Sequence, residues 1–327
     1  MAITQDTTIN HLYFFTESII LLLLSWHIHK FYYILLYENA CFVKEGSTLK
    51  IGVIGTGNMG RILIEALIDG KAISPSFMNV TNRTLSKAMN IKAVYNDIAV
   101  LSDAKSVARV SDILFLCIKP KDIQKVLMEI KPFLLPEKCV VSITSPISVN
   151  QIESVVDCSV ARAIPSITNR ALAGVSLLTF GESCTREWKD KLLQLFEAIS
   201  TPVSINEDIT RVGSDIVSCG PAFFSYLTQR FIDAAVAETK IDEATATTLA
   251  SEMLIGLGEL LRKGFYTLPT LQQKVCVKGG VTWEGIKVLD RELGDVFEHL
   301  FQATHTKFEE DLIESQKQFP LNNSLKK

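Results

Sequence analysis

Residues 50–60, KIGVIGTGNMG, constrain the fold of this chain more than any other stretch. Ile51, Val53 and Ile54 make a short apolar run of the kind that forms a strand buried on both faces. The run enters Gly55-x-Gly57-x-x-Gly60, after which Ile62, Leu63, Ala66 and Leu67 recur at helical spacing. In such a unit the first glycine permits a tight turn, the second lets backbone approach a pyrophosphate, and the third lets helix pack on strand. The free N–H groups of the helix then face the phosphates. The motif predicts a dinucleotide site built from Gly55, Thr56, Gly57, Asn58, Met59 and Gly60. The plainer alternative is an ordinary strand–helix turn.

The next strand decides between dinucleotides. A ribose-binding Asp or Glu is expected about 20 residues beyond the glycines. The second strand, predicted over residues 77–80, runs instead into Thr81-Asn82-Arg83-Thr84, with Lys87 one helical turn further on. A carboxylate there would repel a 2′-phosphate, whereas a guanidinium attracts it. Asn82, Arg83 and Thr84 therefore point to NADP(H) rather than NAD(H). The alternative is that Asn82 caps a helix whose surface carries Arg83.

With 327 residues the chain has room for about two domains with real cores. Its formal net charge of −3 gives no argument for nucleic acid or an anionic membrane surface as partner. The seven cysteines, at positions 41, 117, 139, 158, 184, 219 and 276, include no CxxC pair. They read as reduced thiols of a cytoplasmic protein. The five histidines, His11, His27, His29, His299 and His305, lie outside the strand-rich stretch. Neither a metal site nor a histidine general base is expected.

Residues 1–48 do not match the rest of the chain. Their apolar run, residues 19–26, is interrupted by His27, His29 and Lys30, short of the roughly 20 apolar residues of a spanning helix. No Lys or Arg precedes it, as a secretory signal would require. A membrane anchor is the less favoured reading. Lys44-Glu45-Gly46 can be encoded by a purine-rich stretch resembling a bacterial ribosome-binding sequence, and Leu49 by an alternative start codon. The protein is thus expected to begin at residue 49, with residues 1–48 a mis-assigned start or translated leader, a reading that peptides upstream of Leu49 in the native protein would overturn.

From Leu49 the pattern alternates strand and helix. Strands are expected over residues 113–118, 140–144, 159–163 and 175–179, with an amphipathic helix over residues 122–133. Such alternation predicts an α/β fold, a doubly wound and mostly parallel sheet of Rossmann type with helices on both faces. Ligands of these sheets bind beyond the carboxyl ends of the strands, which places Lys119, Ser145 and Pro165 near the cofactor's path. After about Asn206 the strand signals stop. Phe224, Leu227, Phe231, Ala234 and Ala235 repeat at helical spacing, as do Ala246, Leu249, Met253, Leu257 and Leu260. Core packing is the preferred reading of both stripes. The chain is expected to divide into a nucleotide-binding domain, residues 49–206, and an all-α domain, residues 207–327. A small helical domain of this kind often buries apolar stripes across a subunit contact, so a homodimer is expected.

A second glycine loop, Val277-Lys278-Gly279-Gly280-Val281-Thr282, precedes a predicted helix containing Ile286, Val288 and Leu289. Backbone N–H groups and the Thr282 hydroxyl can donate to an anion there, helped by the helix dipole. A substrate carboxylate is the natural guest; the alternative is a plain helix start with Thr282 as N-cap. Ser214, Ser218, Cys219 and Gly220-Pro221-Ala222 form another tight, polar stretch, either a second wall of the site or only a helix start.

GTGNMG, Asn82-Arg83, Lys119-Pro120, Gly220-Pro221-Ala222 and the Gly279-Gly280 loop occur in this order in the pyrroline-5-carboxylate reductase family, which residues 49 to about 315 resemble. The stretches SITSPIS, IPSITNRALAGVSL and DIVSCGPAF are most similar to its branch named for the late-competence operon of Gram-positive bacteria. The resemblance implies NADPH-dependent reduction of 1-pyrroline-5-carboxylate to L-proline, and a Rossmann domain joined to a helical dimerisation domain. It implies cofactor contacts from the first glycine loop, from Asn82, Arg83 and Thr84, and from Lys119 and Pro120. It implies that residues 277–282 hold a cyclic imino acid, with Thr282 and Ser214 as the catalytic residues, Ser214 near the ring nitrogen. The chain departs from the family loop Ser-Pro-Gly-Gly-Thr-Thr at Val277, Lys278 and Val281, and has Ser166 where the family has Asn. Those departures motivate two rivals: an NADP(H)-binding regulatory protein with little turnover, and a reductase of a related cyclic imine.

Overall fold

The computed structural model describes residues 49–319. The expectations for residues 1–48, with His11, His27, His29 and Cys41, lie outside the described residues. Eight strands form one sheet: β1 (Ile51–Ile54), β2 (Met78–Thr81), β3 (Ala99–Val100), β4 (Ile113–Leu116), β5 (Cys139–Ser142), β6 (Ser159–Ile164), β7 (Val175–Phe180) and β8 (Thr201–Ser204). Their order is β3-β2-β1-β4-β5-β6-β7-β8. β7 runs antiparallel to β6, and every other neighbouring pair is parallel. The chain moves outward from β1 to β3 and then returns to lay β4 on the other side of β1. The crevice between β1 and β4 is thus the point where strand order reverses.

The central strands have no exposed side, which is why they read as apolar runs rather than alternating ones. One face is covered by α1 (Asn58–Asp69) and α6 (Arg186–Glu197), whose Leu63, Ile64, Leu67, Leu192 and Phe196 pack with Val53, Phe115 and Val141. Phe115 and Phe196 meet edge to face at 6.2 Å. The other face is covered by α3 (Ala104–Val110), α4 (Ile123–Ile130) and α5 (Val149–Glu153), packed on Leu114, Leu116 and Val140. The short α2 (Leu85–Lys92) lies between β2 and β3 in the chain. The helix expected over residues 122–133 is shorter, because Pro132 can neither donate nor accommodate the preceding turn. α4 accordingly ends at Ile130 and a 3-10 turn, Lys131–Phe133, comes next.

Beyond β8 the described chain is helical: α7 (Thr210–Ser214), a π-helical turn (Asp215–Cys219), α8 (Gly220–Glu238), α9 (Glu243–Arg262), α10 (Leu268–Val275), α11 (Val281–Leu293) and α12 (Val296–Gln318). Here the core-packing expectation needs correcting for the single chain. Of the two apolar stripes only Ala246 is buried, while Phe224, Phe231, Leu249 and Met253 are exposed. The small cluster between α8 and α9 is made by Ile232, Ala246 and Ala250 instead. Two helices can shield only one stripe of each other, so the opposite apolar faces lack a second layer among the described residues.

Several bonds hold this helical part to the sheet, two of them from serine hydroxyls. Ser166 Oγ donates to Val217 O at 2.8 Å, and Ser218 Oγ donates to Pro165 O at 2.9 Å. Nearby, Arg162 of β6 reaches the carbonyls of Ser145 and Ile147 and the hydroxyls of Thr179 and Thr210. The buried Asp215 carboxylate takes Arg211 at 2.7 Å and the Thr304 hydroxyl of α12 at 2.9 Å.

Candidate functional site

Parallel pairing brings the carboxyl ends of β1, β2, β4, β5 and β6 to one edge of the sheet. The turns that leave those ends carry Gly55–Gly60, Asn82–Thr84, Lys119–Pro120, Ser145 and Pro165, as the topology predicts. Gly55 has φ +104, and a Cβ there would strike the Cys117 carbonyl and Ile118 Cγ2. A Cβ at Gly60 would strike Gly55 O. These two glycines let the β1 turn, α1 and the β4 exit close on one another. Gly57 differs: a Cβ there would meet nothing within 4 Å, so its face opens outward.

The start of α1 is built to receive an anion. Its N-cap is Gly57, and no side chain caps it, so the first N–H groups have no side-chain acceptor. Thr56 is 4 % exposed, and its Oγ1 has no hydrogen-bond partner among the described residues. A buried hydroxyl without a partner costs on the order of 1–3 kcal/mol, a cost that a phosphate oxygen would offset. The residues present therefore fit a dinucleotide.

Asn82 has a defined part in this arrangement. Its Oδ1 accepts from Thr56 N at 3.1 Å, and its Nδ2 donates to Thr84 O at 2.9 Å. The side chain pins the glycine loop to the β2 turn. It does not cap α2, whose N-cap is Thr84. Arg83, Thr84 and Lys87 are exposed beside it, and the Arg83 guanidinium has no acidic partner among the described residues. At the β4 exit, desolvation pushes the Cys117 thiol pKa up.

The second glycine loop is equally open. Gly279 has φ +80, and Gly280 N donates to Val277 O at 2.9 Å to close the turn. Gly280 is the N-cap of α11 and receives no side-chain bond. Thr282 is therefore not the cap; it lies inside the first turn, exposed, with its hydroxyl unpaired among the described residues. Lys278 is exposed and Val281 is 93 % exposed. Gly279 and Gly280 thus present a helix N-terminus with a hydroxyl beside it, the arrangement that suits a carboxylate.

Ser214 sits differently. It is buried at the end of α7 and its Oγ donates to Thr210 O at 2.7 Å, so its proton is held within the turn. Among the described residues no hydrogen bond or ion pair joins residues 277–282 to the glycine fingerprint at the sheet edge. The two loops are each formed, but the described residues of one chain do not link them. Ser166, in the position of the family's Asn, is fully buried, and its hydroxyl is committed to Val217 O and to Thr168. The sequence carries no sign of the Ser166–Val217 and Ser218–Pro165 ties, which join residues more than 50 positions apart.

Among the described residues no group of three or more His, Cys, Asp or Glu side chains could hold a metal ion. Nor is any described helix long and apolar enough to cross a membrane.

Comparison with known proteins adds to this geometry. Residues 207–311 match the family model for pyrroline-5-carboxylate reductase dimerisation, and residues 50–146 match that for coenzyme F420-dependent NADP oxidoreductase. The chain is 55 % identical over 271 residues to ComE operon protein 4 of Bacillus subtilis, covering 83 % of this chain and 99 % of the relative. It is 26 % identical over 262 residues to pyrroline-5-carboxylate reductase 3 of the same organism, covering 80 % and 96 %. Among solved structures, Plasmodium falciparum pyrroline carboxylate reductase with NADP bound superposes with a TM-score of 0.71 at 20 % identity, covering 82 % and 98 %. The Coxiella burnetii pyrroline-5-carboxylate reductase gives 0.70 at 23 % identity, covering 83 % and 99 %. At these identities the two structures establish the fold.

Proposed function

The chain belongs to the pyrroline-5-carboxylate reductase family, in the branch of ComE operon protein 4, and on that premise we propose that it reduces 1-pyrroline-5-carboxylate to L-proline with NADPH. The observation that carries the reading is the pair of uncapped helix N-termini, each behind a glycine turn. One suits a pyrophosphate and the other a carboxylate.

When bound, NADPH supplies the hydride that the imine carbon accepts. The chain's own residues then have binding and orienting roles. Gly55–Gly60 and the Thr56 hydroxyl take the pyrophosphate side, while Arg83, with Thr84 beside it, takes the 2′-phosphate. Lys119 and Pro120 border the crevice between β1 and β4. The Gly279 N–H, the first free N–H groups of α11 behind the Gly280 cap, and the Thr282 hydroxyl hold the substrate carboxylate. A cyclic imine can enter already protonated from water, so a set of residues without a histidine base suits the reaction. Orientation supplies most of the rate. Ser214 contributes through the turn it holds with Thr210.

The working unit is a homodimer in the cytoplasm. The exposed apolar faces of α8 and α9 support it, as does the match to a dimerisation model. The lack of a link between the two loops among the described residues of one chain is also accounted for if a second copy completes the site. Residues 49–206 and 207–327 serve as the nucleotide-binding and the dimerisation domain. Val277, Lys278 and Val281 favour a second reading, in which the chain binds NADP(H) as a regulator with little turnover. The full chain given NADPH carrying deuterium at both nicotinamide C4 positions separates the two. Deuterium at the former imine carbon of L-proline supports the reductase; unlabelled or absent proline contradicts it.

A further inference from the structure

The last helix ends on the cofactor edge of the sheet. Ser315, near the end of α12, is buried, and its hydroxyl accepts from Gln151 Nε2 of α5 at 3.4 Å. Phe319 is 2 % exposed and belongs to the core formed by Leu116, Ile123, Ile147 and Ile152. Between them Gln318, with its amide nitrogen turned to the carbonyls, donates to Pro120 O and Lys121 O, both at 3.2 Å. Pro120 and Lys121 begin the turn that leaves β4, and three residues earlier that segment packs on Gly55 through Cys117 and Ile118. Packed groups therefore run without interruption from the C-terminal end of α12 to the first glycine of the nucleotide loop.

The same helix also reaches the segment tied to the end of β6. Its Thr304 donates to Asp215, and its Phe308 lies 5.4 Å beneath the Arg211 guanidinium. The segment so held is the one that Ser166 and Ser218 tie to the end of β6. α12 thus reaches the turn that leaves β4 and, through residues 211–218, the end of β6, both on the β4 side of the nucleotide crevice, while belonging to the helical part of the chain.

We propose that residues 315–319 are a strap that positions the Lys119–Pro120 turn for the cofactor and couples cofactor binding to α12. The proposal rests on reading the glycine loop as the NADP(H) site. Gln318 and Phe319 are positioning residues: they touch the turn, not the nucleotide. Coupling of this kind is reciprocal, so a strap that tightens the site is itself tightened by the cofactor.

The test titrates the full chain and its Gln318→Ala, Phe319→Ala and Phe319→Leu variants with NADPH, read by nicotinamide fluorescence. Hydrogen exchange of residues 312–319 is measured with and without NADPH. The strap predicts a Kd raised about 3- to 10-fold in Gln318→Ala and Phe319→Ala, with recovery in Phe319→Leu. It also predicts slower exchange of those amides when NADPH is bound. Mere loss of folded protein would lower the number of sites titrated and leave the Kd of the remainder unchanged. Gln318→Ala leaves the apolar core intact and keeps the test decisive if Phe319→Ala does not fold. Unchanged Kd in Gln318→Ala, or exchange indifferent to NADPH, overturns the strap while the cofactor site stands. A wild-type chain that binds no NADPH overturns the cofactor reading and the strap together.

Discussion

Arg162 and Glu207 form a 2.7 Å ion pair across the seam between sheet and helices, with the guanidinium 1 % exposed and the carboxylate 39 % exposed. Burial pushes the Arg162 pKa down, and Glu207 opposes that shift. The second Glu207 oxygen accepts from Val149 N, at the start of α5. Removing Glu207 leaves a buried cation short of its counter-charge. Glu207→Ala is expected to destabilise the protein by about 1–3 kcal/mol, below the usual cost of breaking a buried pair because water reaches the carboxylate. Glu207→Gln, which keeps a hydrogen-bonding oxygen, should fall between it and wild type. Urea unfolding of the three proteins gives the order; equal midpoints would remove the pair from the account of the seam.

Arg83 stands beside Asn82 with no acidic partner among the described residues. Arg83→Ala is expected to weaken NADPH by about tenfold, the size of a charge-assisted hydrogen bond at an exposed site. NADH, which has no 2′-phosphate, should bind almost unchanged. Equal losses for the two cofactors would contradict the 2′-phosphate assignment.

Thr282 lies in the first turn of α11 with its hydroxyl unpaired among the described residues. Thr282→Ala should raise the KM for the imine about fivefold, the equivalent of one hydrogen bond of about 1 kcal/mol. NADPH affinity should not move. Steady-state kinetics with direct cofactor titration separates the two quantities, and an unchanged KM would remove the loop from substrate binding.

Phe231 on α8 is 67 % exposed in the single chain, near the exposed Phe224 and Leu227. Phe231→Glu would bury a carboxylate in any contact made by that face. Light scattering is expected to give a dimer mass for wild type and a monomer mass for the variant. A dimer that survives the substitution would place the subunit contact elsewhere.

Much of the fold is legible because its signals are local. The glycine turn, the apolar strands and the end of strand structure at Ser204 arise from neighbouring residues. The order of motifs carries the family. Other features depend on distant partners. Phe224 and Phe231 carry a helical apolar period, which states that a face will be covered but not by which chain. Thr282 is by type equally able to cap a helix; the positive φ of Gly279 moves the cap to Gly280. Ser166, Ser218 and Gln318 are polar residues of common kinds, and their bonds to Val217, Pro165, Pro120 and Lys121 depend on how the sheet and last helix meet.

The most direct test of the central claim pairs two readings on one preparation of the full chain. NADPH binding is titrated, and NADPH oxidation is monitored on adding 1-pyrroline-5-carboxylate. A working reductase gives saturable NADPH binding and oxidation matched mole for mole by L-proline. Tight NADPH binding with no oxidation and no proline would contradict that claim, and would leave the chain a nucleotide-binding regulator built on a reductase fold.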